Sequence, residues 1–280
     1  MFDRQAAADL LNQDLRGEHE AIVHYLTHAW TVVRPFGGTL EAIARDEMRH
    51  FKWLSHAIVA LGGVPDLTPP NARALAGGRD ALDEDIQAEE EAISQYEDHR
   101  ARIANEQIKV LLARIVVDER DHRRRFLRLR EEWEAMPDEG QEPGSEPRAG
   151  DLPPFQAAFR EEYQEILSTL LQSFFACHSR QVGLRAEDRA IDMMKHLAWL
   201  GEALGTLGTP VTFALPSAPE AHRLTGWLRE IAEWAEDHLP DLVPLIERAL
   251  QHQHFDRVMN LDDMWTVGPY PEGGYGGWMS

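Results

Sequence analysis

Apolar residues recur every three or four positions along most of this chain, the period of a buried helix face, and no segment alternates convincingly as a half-buried strand would. The pattern predicts a first helix from Asp3 to about Val33, closed by "RPFGG", with the stripe Leu11, Leu15, Glu18, Ile22, Tyr25 and Ala29. A second runs from about Thr39 to Leu61, closed by "GGVPD", with the stripe Leu40, Ile43, Glu47, His50, Leu54 and Ile58. After a loop rich in Pro, Gly and Asn, a third carries Leu82, Ile86, Glu89, Ile93, Tyr96 and Ile103. A fourth carries Ile108, Leu112, Ile115, Glu119, His122, Phe126, Leu129 and Trp133, with little punctuation near Asn105 to separate it from the third.

The segment 137–154, rich in Pro, Gly and acids, has linker composition. Beyond it the helical pattern resumes in four pieces. One spans 159–182 and one 186–208. One spans 217–239, with Ser217 as N-cap and Pro219 in the first turn. The last spans 240–265 and is interrupted by Pro244, and residues 266–280 form a Gly- and aromatic-rich tail. The expected architecture is all-α: tandem four-helix bundles over 1–136 and 155–265.

Two repeats sharpen this layout. "EHEAIVHY" (18–25) resembles "EEEAISQY" (89–96), and Asp-Glu-x-x-His occurs at 46–50 and again at 118–122. Between the halves, "RDEMRHFKWLSHAIVALGGVP" resembles "AIDMMKHLAWLGEALGTLGTP". His50 and Met48 then correspond to His196 and Met194, while Met193 stands in place of Glu47.

The stripes carry an anomaly. Residues three apart share a helix face, so Glu47 with His50, and Glu119 with His122, lie on apolar faces. Glu18 and Glu89 interrupt the other two stripes. Four carboxylates in one bundle interior would lose hydration and repel one another unless they are protonated or meet cations. Two divalent ions would cancel their charge, and two imidazoles would complete the ligand set. One Glu from each of two helices and Glu-x-x-His from each of the other two is the pattern of di-iron carboxylate bundles.

On the words "LNQDLRGEHEAIVHYLTHA", "DEMRHFKWL" and "DERDH", residues 1–136 resemble the ferritin-like superfamily, nearest bacterioferritin. The resemblance implies metal ligation by Glu18, Glu47, His50, Glu89, Glu119 and His122, and a tyrosine near the metals at Tyr25. Rubrerythrins usually carry a further Glu one turn after the third-helix ligand, where this chain has Ala92. Asp46 and Asp118 would accept the Nδ1–H of a ligand histidine on the neighbouring helix. His24 and His28 read as surface or packing residues, and Cys177 as an inert buried thiol.

The second half reads as a degenerate copy without a two-metal centre, packing on the first as an internal pseudo-dimer, with a homo-oligomer open. "DMMKH" lacks the ligand Glu, Gln251 and His254 stand where Glu-x-x-His is expected, and Glu165 is the loosely aligned counterpart of Glu18. The resemblance also offers Met48 and Met194 as a haem-binding pair, although methionines beside a helix interface commonly just pack.

Charge and composition narrow the function. The 280 residues hold 48 acids against 28 Lys and Arg, a net charge of −20, which disfavours nucleic acid and anionic membrane and attracts cations. The basic run 120–130 reads as a solvated helix face. A single cysteine excludes a disulfide framework and Cys-based metal sites. The N-terminus has no signal-peptide pattern and no uncharged run reaches membrane-spanning length, so the cytoplasm is expected. The expected activity is that of a non-haem di-iron oxidoreductase. It would hold two Fe ions, with Mn open at one position, and react Fe(II) with O₂ or H₂O₂ in a ferroxidase- or peroxidase-like way, with an electron donor as a further partner. An oxygenase acting on an organic substrate and a structural metal-binding module are the alternatives.

Overall fold

A computed structural model of the chain describes residues 2–32, 36–71, 78–137, 155–176, 180–209, 211–215 and 224–259. Among them are eight α-helices and no strand: α1 Arg4–Thr27, α2 Gly37–Leu61, α3 Arg79–Arg102, α4 Glu106–Ala135, α5 Phe155–Phe175, α6 Arg180–Thr206, α7 Leu224–His238 and α8 Val243–Met259. The linker, the Ser217 cap, Cys177 and the tail expected from the sequence lie outside the described residues. By compactness the chain divides into two units, residues 1–152 with 200–215 and residues 153–199 with 216–280. The last turn of α6 and the strand-free segment after it thus belong with the first bundle, a division that sequence similarity between the halves does not mark.

In the first unit, pairs of touching side chains fix the topology. Residues 14, 18 and 25 of α1, and His28 just after it, meet residues 99, 96, 89 and 85 of α3, so these helices run antiparallel. Residues 46 and 50 of α2 meet 122 and 118 of α4, again antiparallel. Short connections make α1–α2 and α3–α4 hairpins, so α2 and α3 run parallel and need the long connection over 62–78. Asn12 pins that connection to α1: its amide donates to the Val64 carbonyl at 3.0 Å and its oxygen accepts from Asp66 N–H at 2.9 Å.

Local chemistry sets the helix ends. Asn105 caps α4 by accepting from Ile108 N–H at 3.0 Å, which supplies the boundary that the sequence pattern blurred. Gly62, with φ 87°, ends α2 in a left-handed turn in which Gly62 and Gly63 N–H groups bond back to Val59 and Ile58. Gly208, with φ 66°, ends α6 the same way, with Thr209 N–H on Leu204. The Leu-Gly terminators at 61–62 and 207–208 therefore share a mechanism.

Three helices differ from expectation. The first does not stay α-helical to Val33: His28–Val32 forms a π-helical turn. Thr27 and Thr31 hydroxyls donate to the carbonyls of Val23 and Thr27 at 2.6 Å each and compete with the regular ladder there. The helix expected to reach 182 ends at Phe175, and its successor starts at Arg180. Pro244 does not interrupt the last helix but sits in its first turn, where a missing N–H costs nothing.

Candidate metal centre

The interior of the first bundle is apolar at both ends. Leu11, Leu15, Leu40, Ile43, Leu54, Leu112, Ile115 and Phe126 are all buried there. Between these layers sit Glu18, Glu47, His50, Glu89, Glu119 and His122, none more than 4% exposed. Periodicity alone puts them there, because each occupies a stripe position whose neighbours one turn away are apolar.

They form two interlocking groups. Glu18, Glu47, His50 and Glu119 each bring a donor atom within 4.8 Å of the others, and so do Glu47, Glu89, Glu119 and His122. Glu47 and Glu119 belong to both. His50 Nδ1 lies 2.9 Å from Glu47 Oε2, 3.0 Å from Glu119 Oε1 and 3.6 Å from Glu18 Oε1. His122 Nδ1 lies 2.9 Å from Glu47 Oε1, 3.3 Å from Glu119 Oε2 and 3.8 Å from Glu89 Oε1. Glu47 and Glu119 therefore offer one oxygen to each side, whereas Glu18 and Glu89 serve one side each.

Several of these oxygens are close to a donor yet badly aligned. Glu47 Oε1, Glu119 Oε1 and Glu89 Oε2 are buried without a hydrogen bond. Buried carboxylate oxygens are normally satisfied, so their convergence fits a pair of divalent cations better than it fits a hydrogen-bonded network. Carboxylate and imidazole donors suit Fe(II) and Mn(II).

The electrostatics of the metal-free cluster show what a cation would relieve. Burial, reinforced by the charges of Glu119 and Glu47, pushes Glu18 well above the usual carboxylate range. Burial with Glu47 and Glu119 does the same to Glu89. Burial opposes charge on Glu47 too, but the neighbouring His122 and His50 imidazoles outweigh it and hold that carboxyl down at about 2. Burial also opposes charge on the imidazoles. The surrounding carboxylates nevertheless raise His122 to about 10 and His50 well above its ordinary value. Protons thus occupy the place of metal charge.

The surrounding residues follow a pseudo-two-fold that exchanges the two hairpins. Tyr25 OH donates to Glu89 Oε1 at 2.7 Å, and Tyr96 OH donates to Glu18 Oε1. Burial pushes both phenols well up, so they remain donors. His50 Nε2 meets Asp118 Oδ2 at 3.1 Å, and His122 Nε2 meets Asp46 Oδ2 at 3.3 Å. The expected Asp partners are in place across the α2–α4 interface, but they take Nε2, because Nδ1 faces the carboxylates. One helical turn before Glu18 and Glu89 lie Asp14 and Asp85, both buried, paired with His99 at 2.7 Å and His28 at 2.9 Å. Sequence reasoning passed over Asp14, Asp85 and His99 and read Tyr96 only as a core stripe residue. The repeat of "EHEAIVHY" in "EEEAISQY" and the acid four residues before each stripe glutamate were the available signals.

The basic run of α4 is a solvated face: Arg120, Arg123 and Arg130 pair with Glu97, Glu90 and Asp83. Met48 is half-buried on α2 in the first unit, and Met194 half-buried on α6 in the second.

The second unit has its own polar interior. Glu162 and His196 are buried, 3.2 Å apart, and His196 Nε2 reaches His252 Nδ1 at 3.0 Å. Glu162, not Glu165, is thus the acid facing the counterpart of His50; Glu165 pairs with Arg189 near the surface. Met193 is buried where Glu47 stands in the first bundle. On α8 the inward positions are His252 and Gln253 rather than Gln251, which is exposed.

Comparison with known proteins comes down on the same segment. Residues 8–136 match the ferritin-like domain family. A solved structure described as a ferritin-like, diiron-carboxylate protein from Bacillus anthracis str. Ames is 30% identical, covering 46% of this chain and 98% of that one, with a TM-score of 0.43. BfrA from M. tuberculosis is 24% identical over 48% of this chain and 88% of its own, also with a TM-score of 0.43. No curated protein matches. Among the described residues, no helix is long and apolar enough to cross a membrane. On the match over residues 8–136, the first bundle belongs to the ferritin-like domain family.

Proposed function

We propose that the first bundle is a non-haem di-iron oxidoreductase centre that reacts Fe(II) with O₂ or H₂O₂. The observation that carries this reading is the pair of buried ligand groups sharing Glu47 and Glu119. Glu18 and His50 would hold one ion and Glu89 and His122 the other, with Glu47 and Glu119 common to both; Mn(II) would also be accepted at one position. Loaded with iron, the centre would supply the electrons for reducing the oxidant.

The chain's own residues have definable tasks. Asp118 and Asp46 fix the ring orientation of His50 and His122 by accepting from Nε2, so that Nδ1 points inward. Tyr25 and Tyr96 hold one oxygen each of Glu89 and Glu18. Tyr25 is also the nearest phenol to Glu89 and is placed to pass a proton to its carboxylate. Phe126, against the Tyr25 ring at 4.9 Å between centroids, keeps water from that side.

Anaerobic Fe(II) titration followed by exposure to O₂ or H₂O₂ tests the reading. At least about two Fe(II) per chain, with oxidant consumed on repeated additions of Fe(II), is the expected result. Binding without oxidation would make the centre structural. Oxidant consumption only in the presence of an organic molecule would make it an oxygenase.

A further inference from the structure

The pseudo-two-fold around the centre is broken at two pairs of positions. Beside the Asp14–His99 pair stands Gln95, whose amide donates to Asp14 at 2.9 Å. At the equivalent place beside the Asp85–His28 pair stands His24, whose Nε2 lies 3.4 Å from Asp85 Oδ1. The residue before Asp14 is Gln13, and the residue before Asp85 is Glu84. His24 Nε2 lies 3.8 Å from Glu84 Oε2. One side of the bundle carries amides, and the other carries an imidazole and a carboxylate.

That substitution changes what the cluster can bind. His24, His28 and Glu84 each bring a donor atom within 4.8 Å of the others. The separations of 3.4 and 3.8 Å from His24 to the two carboxylates are long for hydrogen bonds. The 3.8 Å between His24 Nε2 and Glu84 Oε2 leaves room for a first-row cation between them, since tetrahedral donors at about 2.0–2.1 Å from an ion stand about 3.3 Å apart. His28 Nε2 and Asp85 Oδ2 are both fully buried and have no hydrogen-bond partner. Asp85 accepts from His28 Nδ1, which leaves the Nε2 lone pair as the unused one, the arrangement of a metal-binding histidine oriented by a carboxylate. His28 also opens the π-helical turn, which brings it over His24 with ring centroids 4.0 Å apart. Glu84 is half-exposed, so the cluster has a route from solvent.

We propose that His24, His28 and Glu84, with Asp85 orienting His28, form a separate site for a single divalent first-row cation, one helical turn along α3 from Glu89. The site takes Fe(II), Co(II) or Zn(II) rather than Mg(II) or Ca(II), because two of its donors are imidazole. It stands on its own residues and does not depend on the redox reading of the buried pair.

Equilibrium dialysis of the full chain against Co(II), with bound metal counted, tests it. His24→Gln, which copies Gln95, should bind about one ion fewer per chain than the unchanged protein and keep the rest. Glu119→Ala should lose the paired ions but keep the one that His24→Gln removes. Equal Co(II) content in the unchanged protein and His24→Gln overturns the proposal. Unchanged content in Glu119→Ala would instead count against the buried pair. Glu84→Gln, a change at a half-exposed position that leaves the fold intact, provides a second reading: its affinity for the same ion should drop about tenfold or more, and an unaltered affinity also overturns the site.

Discussion

The two bundle interiors of this chain were drawn with the same pattern and filled with different chemistry. In the first, Glu18, Glu47, Glu89 and Glu119 face His50 and His122, so negative charge exceeds what two imidazolium groups can balance. In the second, Glu161, Glu162, Met193, His196 and Gln253 are buried, and His196 reaches His252. Glu162 there meets His196, which in turn meets His252, and a thioether and an amide replace two anions. The helix terminators at Gly62 and Gly208 still match. Helical periodicity and capping survive ligand exchange because they depend on backbone geometry and apolar burial. A charged interior survives only while its charge is balanced.

The sharpest way to break this contrast is to remove a shared ligand. Glu119→Ala or Glu47→Ala should abolish paired metal binding and slow Fe(II) oxidation by ~100-fold or more, read by anaerobic titration and stopped-flow absorbance. Wild-type metal content and rate in both variants would sink the assignment. The converse change, Met193→Glu with Gln253→Glu, restores two anions beside Glu162 and His196 in the second interior. It should add metal binding there, detectable as extra Fe(II) per chain, and without metal it should lower stability by about 1–3 kcal/mol through buried unpaired charge.

Asp118→Asn should come next. It removes an anionic acceptor from His50 Nε2 and should weaken metal binding about 10–100-fold. Asp46→Asn should do less, because the contact with His122 is longer and Asp46 is more exposed. Equal effects from the two would show that the pseudo-two-fold is also an energetic one.

The pH response separates the metal-free from the loaded state. His122 is raised from 6.5 to about 10, so its contribution to metal-free stability is fully present below about 6.5 and lost as pH rises through about 10. Glu47 is lowered from 4.5 to about 2, so its contribution is present above 4.5 and lost as pH falls through 2. These two groups favour the metal-free bundle most between those windows. Metal affinity should move the other way and rise with pH, because the imidazoles must lose their protons to coordinate. Denaturant melts of both forms at about pH 6 and pH 9 would check this; parallel curves would contradict the proton–metal exchange.

The smallest effects are expected at the phenols. Tyr25→Phe and Tyr96→Phe each free one carboxylate oxygen without removing a ligand, and should change oxidation by only a few-fold, about the cost of one hydrogen bond. If Tyr25→Phe alone abolished oxidation while leaving metal content intact, Tyr25 would have a redox or proton-transfer task that its twin lacks.

Much of this was legible in the chain itself. A period of 3.6 with Glu or His in an apolar stripe places that residue inside a bundle, since the stripe has nowhere else to go, and two copies at matching offsets place six such residues at one level. Gly62, Gly208 and Asn105 end or begin helices for local reasons that the sequence states. Periodicity could not say which carboxylates are shared between the two imidazoles, because that depends on how far α2 and α4 carry Glu47 and Glu119 across the bundle axis. Nor could it fix the nitrogen each histidine turns inward, or make Glu162 rather than Glu165 the partner of His196, because ring orientation and helix rotation are set by packing. The π-helical turn at His28 has a local source in the Thr27 and Thr31 hydroxyls, but hydrophobic periodicity does not mark it. Without it, His24 and His28 are two histidines one turn apart on a helix. With α3 packed alongside, they face Glu84 and Asp85, residues some sixty positions away in the chain that only the antiparallel α1–α3 contact brings within reach.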